Sequence, residues 1–253
     1  MKKHLSLSQR IHNAEGAQAA EYLHASHAYL HAMTHGKEEW GEIWSRRDDV
    51  SWAHSFGRWR GFQAVWWGNV ASYNWRGISP YKDMFDLVPE ITWLTDFRSL
   101  SEVAMHTLGT DIIEVADDGQ TARGFFVTPG VLYSALQPNM KYKGQALWER
   151  YGSDFVFENG EWKYLHEQVC PDVGGPFDVS NAGVETYKRL VNPPPPGVGV
   201  PSPMDTSSMR LTDPGPLHHT YTPVQTVQNT VPWPEPYVTM DNNNTYTKME
   251  EKK

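Results

Sequence analysis

The stretch Phe155-Val-Phe-Glu-Asn-Gly-Glu-Trp-Lys-Tyr-Leu-His166 decides the fold, because it reads as two strands joined by the tightest turn a chain can make. Asn159 and Gly160 both tolerate positive φ, which a two-residue type I′ turn demands at each central position. Counting outward from that turn pairs Phe157 with Trp162, Phe155 with Tyr164, Ser153 with His166 and Tyr151 with Gln168. Strand alternation then puts all eight on one side of a sheet, apolar near the turn and polar beyond it. Such a polar cluster above an apolar floor is a common way to build a binding pocket. Arg150, Asp154, Lys163 and Glu167 fall on the opposite side and are expected to face water.

A second turn lies in Glu114-Val-Ala-Asp-Asp-Gly-Gln-Thr-Ala-Arg123, where Asp118 and Gly119 allow similar geometry and set Glu114 opposite Arg123. That pair is expected to be an exposed cross-strand contact worth under about 1 kcal/mol. His106 precedes it, and straight alternation turns its ring away from Ile113 and Val115. A β-bulge near Gly109 is needed to bring it to the pocket side.

Upstream, residues 24 to 35 carry four histidines. On a helical wheel His24, His27, His31 and His35 project at about 0°, 300°, 340° and 20°, so a helix aligns them in one stripe. Tyr22, Leu23, Tyr29, Leu30 and Met33 fall on the other side and offer an apolar face. The expected helix runs from about residue 14 to 34, stops at Gly36 and is followed by a short second helix. His24 and His27 are expected to be solvated or at an interface, while His31, near the helix end, is a candidate for the pocket. The segment 48–56 alternates Val50, Trp52, His54 and Phe56 against smaller residues, which is strand period. Residues 61–75 read as a further helix, and strands follow from 103.

Composition narrows the function classes. The chain has 253 residues and a formal charge of -8, with 30 acidic against 22 basic residues, and no basic footprint of the kind nucleic acid requires. No long apolar run suggests a membrane span or a signal peptide, so a cytoplasmic protein is expected. A single cysteine, Cys170, excludes an internal disulfide and a cysteine-based zinc site. His27, His31 and His35 have a spacing that could hold zinc on a helix, but no HExxH motif accompanies them, and no metal is expected. Phosphate loops, GxGxxG and G-x-S-x-G elbows are absent, which leaves proton transfer by imidazoles, whose ordinary pKa near 6.5 suits general acid–base work. Aromatic residues form 13% of the chain, with 11 tryptophans, enough to line a cavity for flat ligands or to pack a core. From residue 191 the pattern changes to Asn-Pro-Pro-Pro-Pro-Gly-Val-Gly-Val-Pro. The reading is therefore a domain over 1–190 and a Pro-rich arm over 191–253, docked on its own or a neighbouring subunit through residues 232–237, with the last dozen residues loose.

Residues 105–126 and 148–166 together resemble the SnoaL-like branch of the NTF2-like superfamily. That resemblance, spanning roughly 10–185, implies an α+β cone in which a curved mixed sheet wraps around N-terminal helices, usually in dimers or trimers. It also implies a cofactor-independent enzyme: dehydratases and diarylpropane lyases of this branch need neither metal nor organic cofactor. By the resemblance His106 matches the dehydratases' strand histidine, and His31 stands where they carry a tyrosine, so Tyr29 is a candidate phenol. The catalytic candidates are then His106, His31, Tyr29 and His166, and the substrate-binding candidates His54, Trp52, Tyr151, Phe155, Gln168 and Trp148. The expected activity is a lyase eliminating water or formaldehyde from a hydrophobic aromatic or polycyclic hydroxylated molecule. The alternatives are an isomerase or polyketide cyclase in the same pocket, or a non-catalytic binding or assembly module.

Overall fold

In the computed structural model Asn159 and Gly160 take φ of 54° and 86°, and the two strands they join are the longest among the described residues. The structure describes residues 5–32, 41–54, 57–62, 64–65, 102–134, 143–177, 231–241 and 243–246. Helix α1 spans Leu7–Ala32, and the strands are β1 Ser51–His54, β2 Gly57–Arg60, β3 Glu102–His106, β4 Gly109–Val115, β5 Thr121–Ser134, β6 Lys143–Glu158 and β7 Glu161–Phe177. They form one mixed sheet in the order β2-β1-β7-β6-β5-β3, with β4 also paired to β5. β1 runs parallel to β7, and the other strand pairings among the described residues are antiparallel. α1 packs on one face of this sheet, against β3, β4, β5 and β7. The architecture is the α+β arrangement expected, a mixed sheet with an N-terminal helix on its inner face. The expected domain boundary at 190 and the expected helix over 61–75, apart from residues 61, 62, 64 and 65, lie outside the described residues.

α1 begins earlier than its apolar pattern suggests. Ser6 Oγ accepts the backbone N–H of Gln9 at 3.3 Å while Gln9 Oε1 accepts the N–H of Ser6 at 3.0 Å, a reciprocal capping box in the sequence Ser-Leu-Ser-Gln. The helix buries a different face from the one expected. Ala20, Leu23, His24, His27 and Ala28 are buried, whereas Tyr22 and Tyr29 are 73% and 63% exposed. The small residues explain the choice, since they let the helix lie close on the sheet: a Cβ on Gly16 would stand 2.7 Å from the Trp162 ring.

Three breaks in register bend the long strands. The first lies between Gly109 and Asp111, where β4 shifts against β5, and it is the bulge that the placement of His106 requires. The second lies between Trp148 and Glu149. The third matters most for the site: Phe155 pairs with Tyr164, but Asp154 pairs with His166 and Ser153 with Glu167, so Leu165 is an extra residue in β7. Beyond that point the alternation of β7 is inverted relative to an unbroken hairpin.

The inner core joins Trp44, Val50, Trp52, Trp59, Phe126, Tyr151, Phe155, Tyr164 and Val169. Trp44 stacks on Tyr164 at 5.0 Å between ring centroids, and the chain around it pairs with β7 through Ser45 N–H to the Tyr164 carbonyl. β2, unforeseen in the sequence reading, closes a hairpin with β1 and adds Trp59, stacked 5.2 Å from Trp52. At the other turn only Gly119 has positive φ, 70°, so Ala116 to Gly119 form a turn closed by the Gly119 N–H on the Ala116 carbonyl, not the mirror-image type. The register is unaffected, with Glu114 opposite Arg123.

Part of the C-terminal arm docks on the outer face of this chain's own sheet. Val231 and Tyr246 are fully buried there against Cys170 and Phe125. The amides of Asp117 and Asp118 donate to the carbonyls of Tyr237 and Val238. Of the expected anchor 232–237, Tyr237 is held, its hydroxyl donating to Thr121 Oγ1 at 3.2 Å, whereas Trp233 is 62% exposed; Tyr246, within the last dozen residues, is buried.

Candidate functional site

Inner-face residues from five strands and the helix meet at one end of the sheet. Glu149 and Tyr151 point inward from β6, and the Tyr151 hydroxyl donates to Glu149 Oε2 at 3.0 Å. Two imidazoles face the same carboxylate: His106 Nδ1 lies 3.5 Å from Oε2, and His54 Nε2 lies 3.9 Å from Oε1. His106 belongs to β3 and must reach across β5 to get there. It does so over Gly130, its cross-strand partner, where a Cβ would stand 3.0 Å from His106 Nδ1. Glu149 is almost wholly buried. Burial pushes its carboxyl pKa up, but the facing His54 and His106 rings and the Tyr151 phenol outweigh that and hold it below the ordinary carboxylate value. Glu149 is therefore an ionised carboxylate kept inside the fold by its partners.

A second carboxylate stands beside the first. Glu167, on β7, accepts the Trp52 indole N–H at 2.9 Å and lies 3.5 Å from the Ser153 hydroxyl. From the helix above, His27 Nε2 lies 3.7 Å and His24 Nδ1 4.0 Å from its oxygens. His24 is fully buried, stacks on Phe126 with centroids 3.7 Å apart, and shares a 2.5 Å hydrogen bond between its Nδ1 and the Tyr164 hydroxyl. Burial, together with the neighbouring His27 and His106, pushes its pKa well below the usual value, so the ring is neutral. Its Nε2 has no hydrogen-bond partner among the described residues. The two halves touch through Tyr151, whose ring lies 5.4 Å from His24 and 6.1 Å from His106.

His106, His54, Tyr151 and Trp52 are thus brought together, with Phe155 in the packed floor below them. Five other candidates stand elsewhere or are not described. His166 is buried on the outer face, its Nδ1 3.0 Å from Asp154 Oδ2 and its Nε2 3.0 Å from the Asp49 carbonyl. Gln168 lies on the same outer side, its amide 3.5 Å from Cys170 Sγ. The extra residue Leu165 is the cause of both displacements, and it also turns Glu167 inward from the solvated set where simple alternation places it. Trp148 is 51% exposed on the outer face, and Tyr29 is exposed on the far side of α1. The side chain of His31 lies outside the described residues. Sequence reasoning missed Glu149 and Glu167, put Ser153 and Tyr164 on the pocket side without giving them a role, and set His24 and His27 in solvent or at an interface. The small residues Gly16, Ala20 and Ala28 flanking them were the available signal for burial.

Among the described residues no group of three or more His, Cys, Asp or Glu side chains has the geometry to hold a metal ion, and no helix is long and apolar enough to cross a membrane. A groove of about 560 Å³ between the start of α1, β4 and the arm, lined by Arg10, Asn13, Glu114 and Tyr237, contains none of the clustered imidazoles.

No protein-family model matches the chain, and no curated protein matches it in sequence. Solved structures do. A protein from Novosphingobium aromaticivorans provisionally described as a scytalone dehydratase is 13% identical over 67% of this chain and 93% of its own, with a TM-score of 0.46. A hexachlorocyclohexane dehydrochlorinase, LinA-type3, from Novosphingobium barchaimii is 14% identical over 68% of this chain and 94% of its own, with a TM-score of 0.44. An NTF2-like protein with a cystatin-like fold from Novosphingobium aromaticivorans is 16% identical over 76% and 99%, with a TM-score of 0.40. The likeness is one of overall fold, and no residue's role is carried over from it.

Proposed function

We propose that this protein is a cofactor-independent lyase that eliminates water or formaldehyde from a small, hydrophobic, hydroxylated aromatic or polycyclic molecule. The observation that carries the reading is the buried, ionised Glu149 facing His106, His54 and Tyr151. A carboxylate beside an imidazole stabilises the charge that forms when the ring takes a proton, which suits His106 to the role of base. In this mechanism His106 takes a proton from the substrate and gives it to the departing hydroxyl, which leaves as water, or to the carbon left behind when formaldehyde departs. In this reading the charge that develops on the substrate is met by His24, whose buried ring is neutral, and by His27. Glu167 holds the latter pair from below. The SnoaL-like resemblance of residues 105–126 and 148–166 supports the same reading, and so do the aromatic rings of Trp52, Phe126 and Tyr151 packed beside the cluster. We place the enzyme in the cytoplasm as a dimer or trimer, with no nucleic-acid or membrane partner.

The test is a panel of phenolic dimers, hydroxyaryl ketones and hydroxysteroids incubated with the purified protein without added cofactor and followed by mass spectrometry. Loss of water or formaldehyde from one class is expected, abolished in His106→Ala and Glu149→Gln variants that keep the native circular dichroism. Proton exchange in heavy water at unchanged mass would make the enzyme an isomerase. Full activity in both variants would remove the assigned residues, and tight binding with neither turnover nor exchange would make the protein a binding module.

A further inference from the structure

Consecutive residues His166 and Glu167 of β7 each bridge the same three strands, one on each face of the sheet. On the inner face Glu167 joins Trp52 of β1 and Ser153 of β6. On the outer face His166 joins the carbonyl of Asp49, just before β1, and the carboxylate of Asp154 on β6. The register makes these two clamps adjacent, since Asp154 pairs with His166, Ser153 with Glu167 and Trp52 with Glu167. They sit directly after the extra residue Leu165, where the ladder between β6 and β7 is interrupted and side chains must fix the geometry that regular pairing fixes elsewhere.

The outer clamp is completed from the C-terminal arm. The backbone N–H of Tyr246 donates to Asp154 Oδ2 at 2.9 Å, the same oxygen that meets His166. Arg123 Nε lies 3.5 Å from the other oxygen, and its guanidinium stacks 4.4 Å over the Tyr246 ring. Asp154 and Tyr246 are both fully buried, so the arm excludes water from this carboxylate. Gly152 makes room for it: a Cβ there would stand 2.6 Å from the Tyr246 ring and 2.8 Å from Val231.

We propose that Tyr246 of the C-terminal arm and its acceptor Asp154 are positioning residues for the site on the opposite face, holding Glu167, and through it Trp52 and His27, by way of His166. The inference rests on the reading of the inner cluster as the reactive site, and it makes the arm a working part of that site instead of an appendage. Loosening Tyr246 frees Asp154, His166 then loses one of its two anchors, and the β7 backbone that carries Glu167 is released at its bulge.

The Trp52 indole N–H, bonded to Glu167, reports this on the full-length, nitrogen-15-labelled protein, its resonance identified by its loss in Trp52→Phe. Tyr246→Ala and Asp154→Asn are expected to move that resonance, while Tyr246→Phe, which keeps the ring and the backbone donor, leaves it in place. Where a substrate is known, the same two variants are expected to lower kcat about ten- to a hundredfold with KM nearly unchanged, as a displaced catalytic group does. Should Tyr246→Ala not fold, Tyr246→Leu fills the outer face and replaces it. A Trp52 resonance unmoved in folded Tyr246 and Asp154 variants overturns the coupling, whatever the activity of the site. Conversely, a Glu167→Gln variant with full proton-transfer activity removes Glu167 from the chemistry without touching the coupling.

Discussion

His106 Nδ1 stands 3.5 Å from Glu149 Oε2, although the two residues belong to strands that are not neighbours in the sheet. The contact spans β5, and it gives the imidazole an anionic partner from β6. Replacing Glu149 by Gln keeps the shape and removes the charge. Turnover is expected to fall by about 10² to 10⁴-fold, the range typical of acid–base groups. Steady-state rates on the substrate found in the panel check this, and a loss under about tenfold would reduce Glu149 to a structural role.

His24 makes acid stability a second readout. Its folded pKa lies below the ordinary 6.5, chiefly because the ring is buried. Below that pH the unfolded chain binds a proton that the native ring refuses, so stability falls as pH drops from 6.5 toward the depressed native value. Glu149 acts lower down: its folded pKa is below 4.5, and the stability it contributes is lost as pH falls past that value. Between about pH 7.5 and pH 5 the wild type is expected to lose more thermal stability than His24→Gln, which has no group to titrate at that position. Parallel melting curves for the two proteins across that interval would contradict the burial of a neutral ring.

Gly130 is the passage that lets His106 cross β5. An added Cβ would meet the Met105 carbonyl oxygen at 2.4 Å and His106 Nδ1 at 3.0 Å. Backbone cannot yield as a flexible side chain does, so Gly130→Ala is expected to destabilise by about 1–3 kcal/mol and to push the ring off Glu149. Urea unfolding and activity are both expected to fall. An unchanged midpoint with full activity would show that β3 has room to move.

The outline of the sheet was readable because its turns carry their own chemistry. Asn159-Gly160 set a hairpin whose register holds as far as Phe155 and Tyr164, and Asp118-Gly119 set Glu114 opposite Arg123. Reading failed one residue further on. A bulge adds a residue without changing composition, and Tyr164-Leu165-His166-Glu167-Gln168 is as consistent with one alternation as with the other. His166 and Gln168 were therefore expected inside and Glu167 outside, the reverse of their places. The bulge at Gly109 was foreseen only because His106 could not otherwise face inward. On α1 the rule that polar stripes face water put His24 and His27 on the wrong side. Imidazoles facing Tyr164 and Glu167 are buried there, and those partners lie about 140 residues away in sequence, beyond the reach of any local pattern. The arm's attachment was expected from its aromatic residues, but which of them anchors it depends on the space above Gly152, which only the assembled sheet defines.

The close seating of α1 gives a last test, one in which the usual sign is reversed. In an exposed helix Gly→Ala adds about 0.5–1 kcal/mol of stability, because alanine loses less backbone freedom on folding. Gly16 is inside α1 but faces Trp162, and a Cβ there would stand 2.7 Å from one ring carbon and 3.2 Å from another. The indole is itself held against Phe157, 5.5 Å away between centroids, so it cannot simply swing aside. Gly16→Ala is therefore expected to lower stability, by about 1–3 kcal/mol, as overpacking does. Because the helix would be lifted at its middle, His24 and His27 would rise from Glu167 together, and activity would fall with stability. A thermal midpoint raised by the substitution would mean that the helix does not rest on the sheet as closely as described, and with it the burial of both imidazoles would be lost.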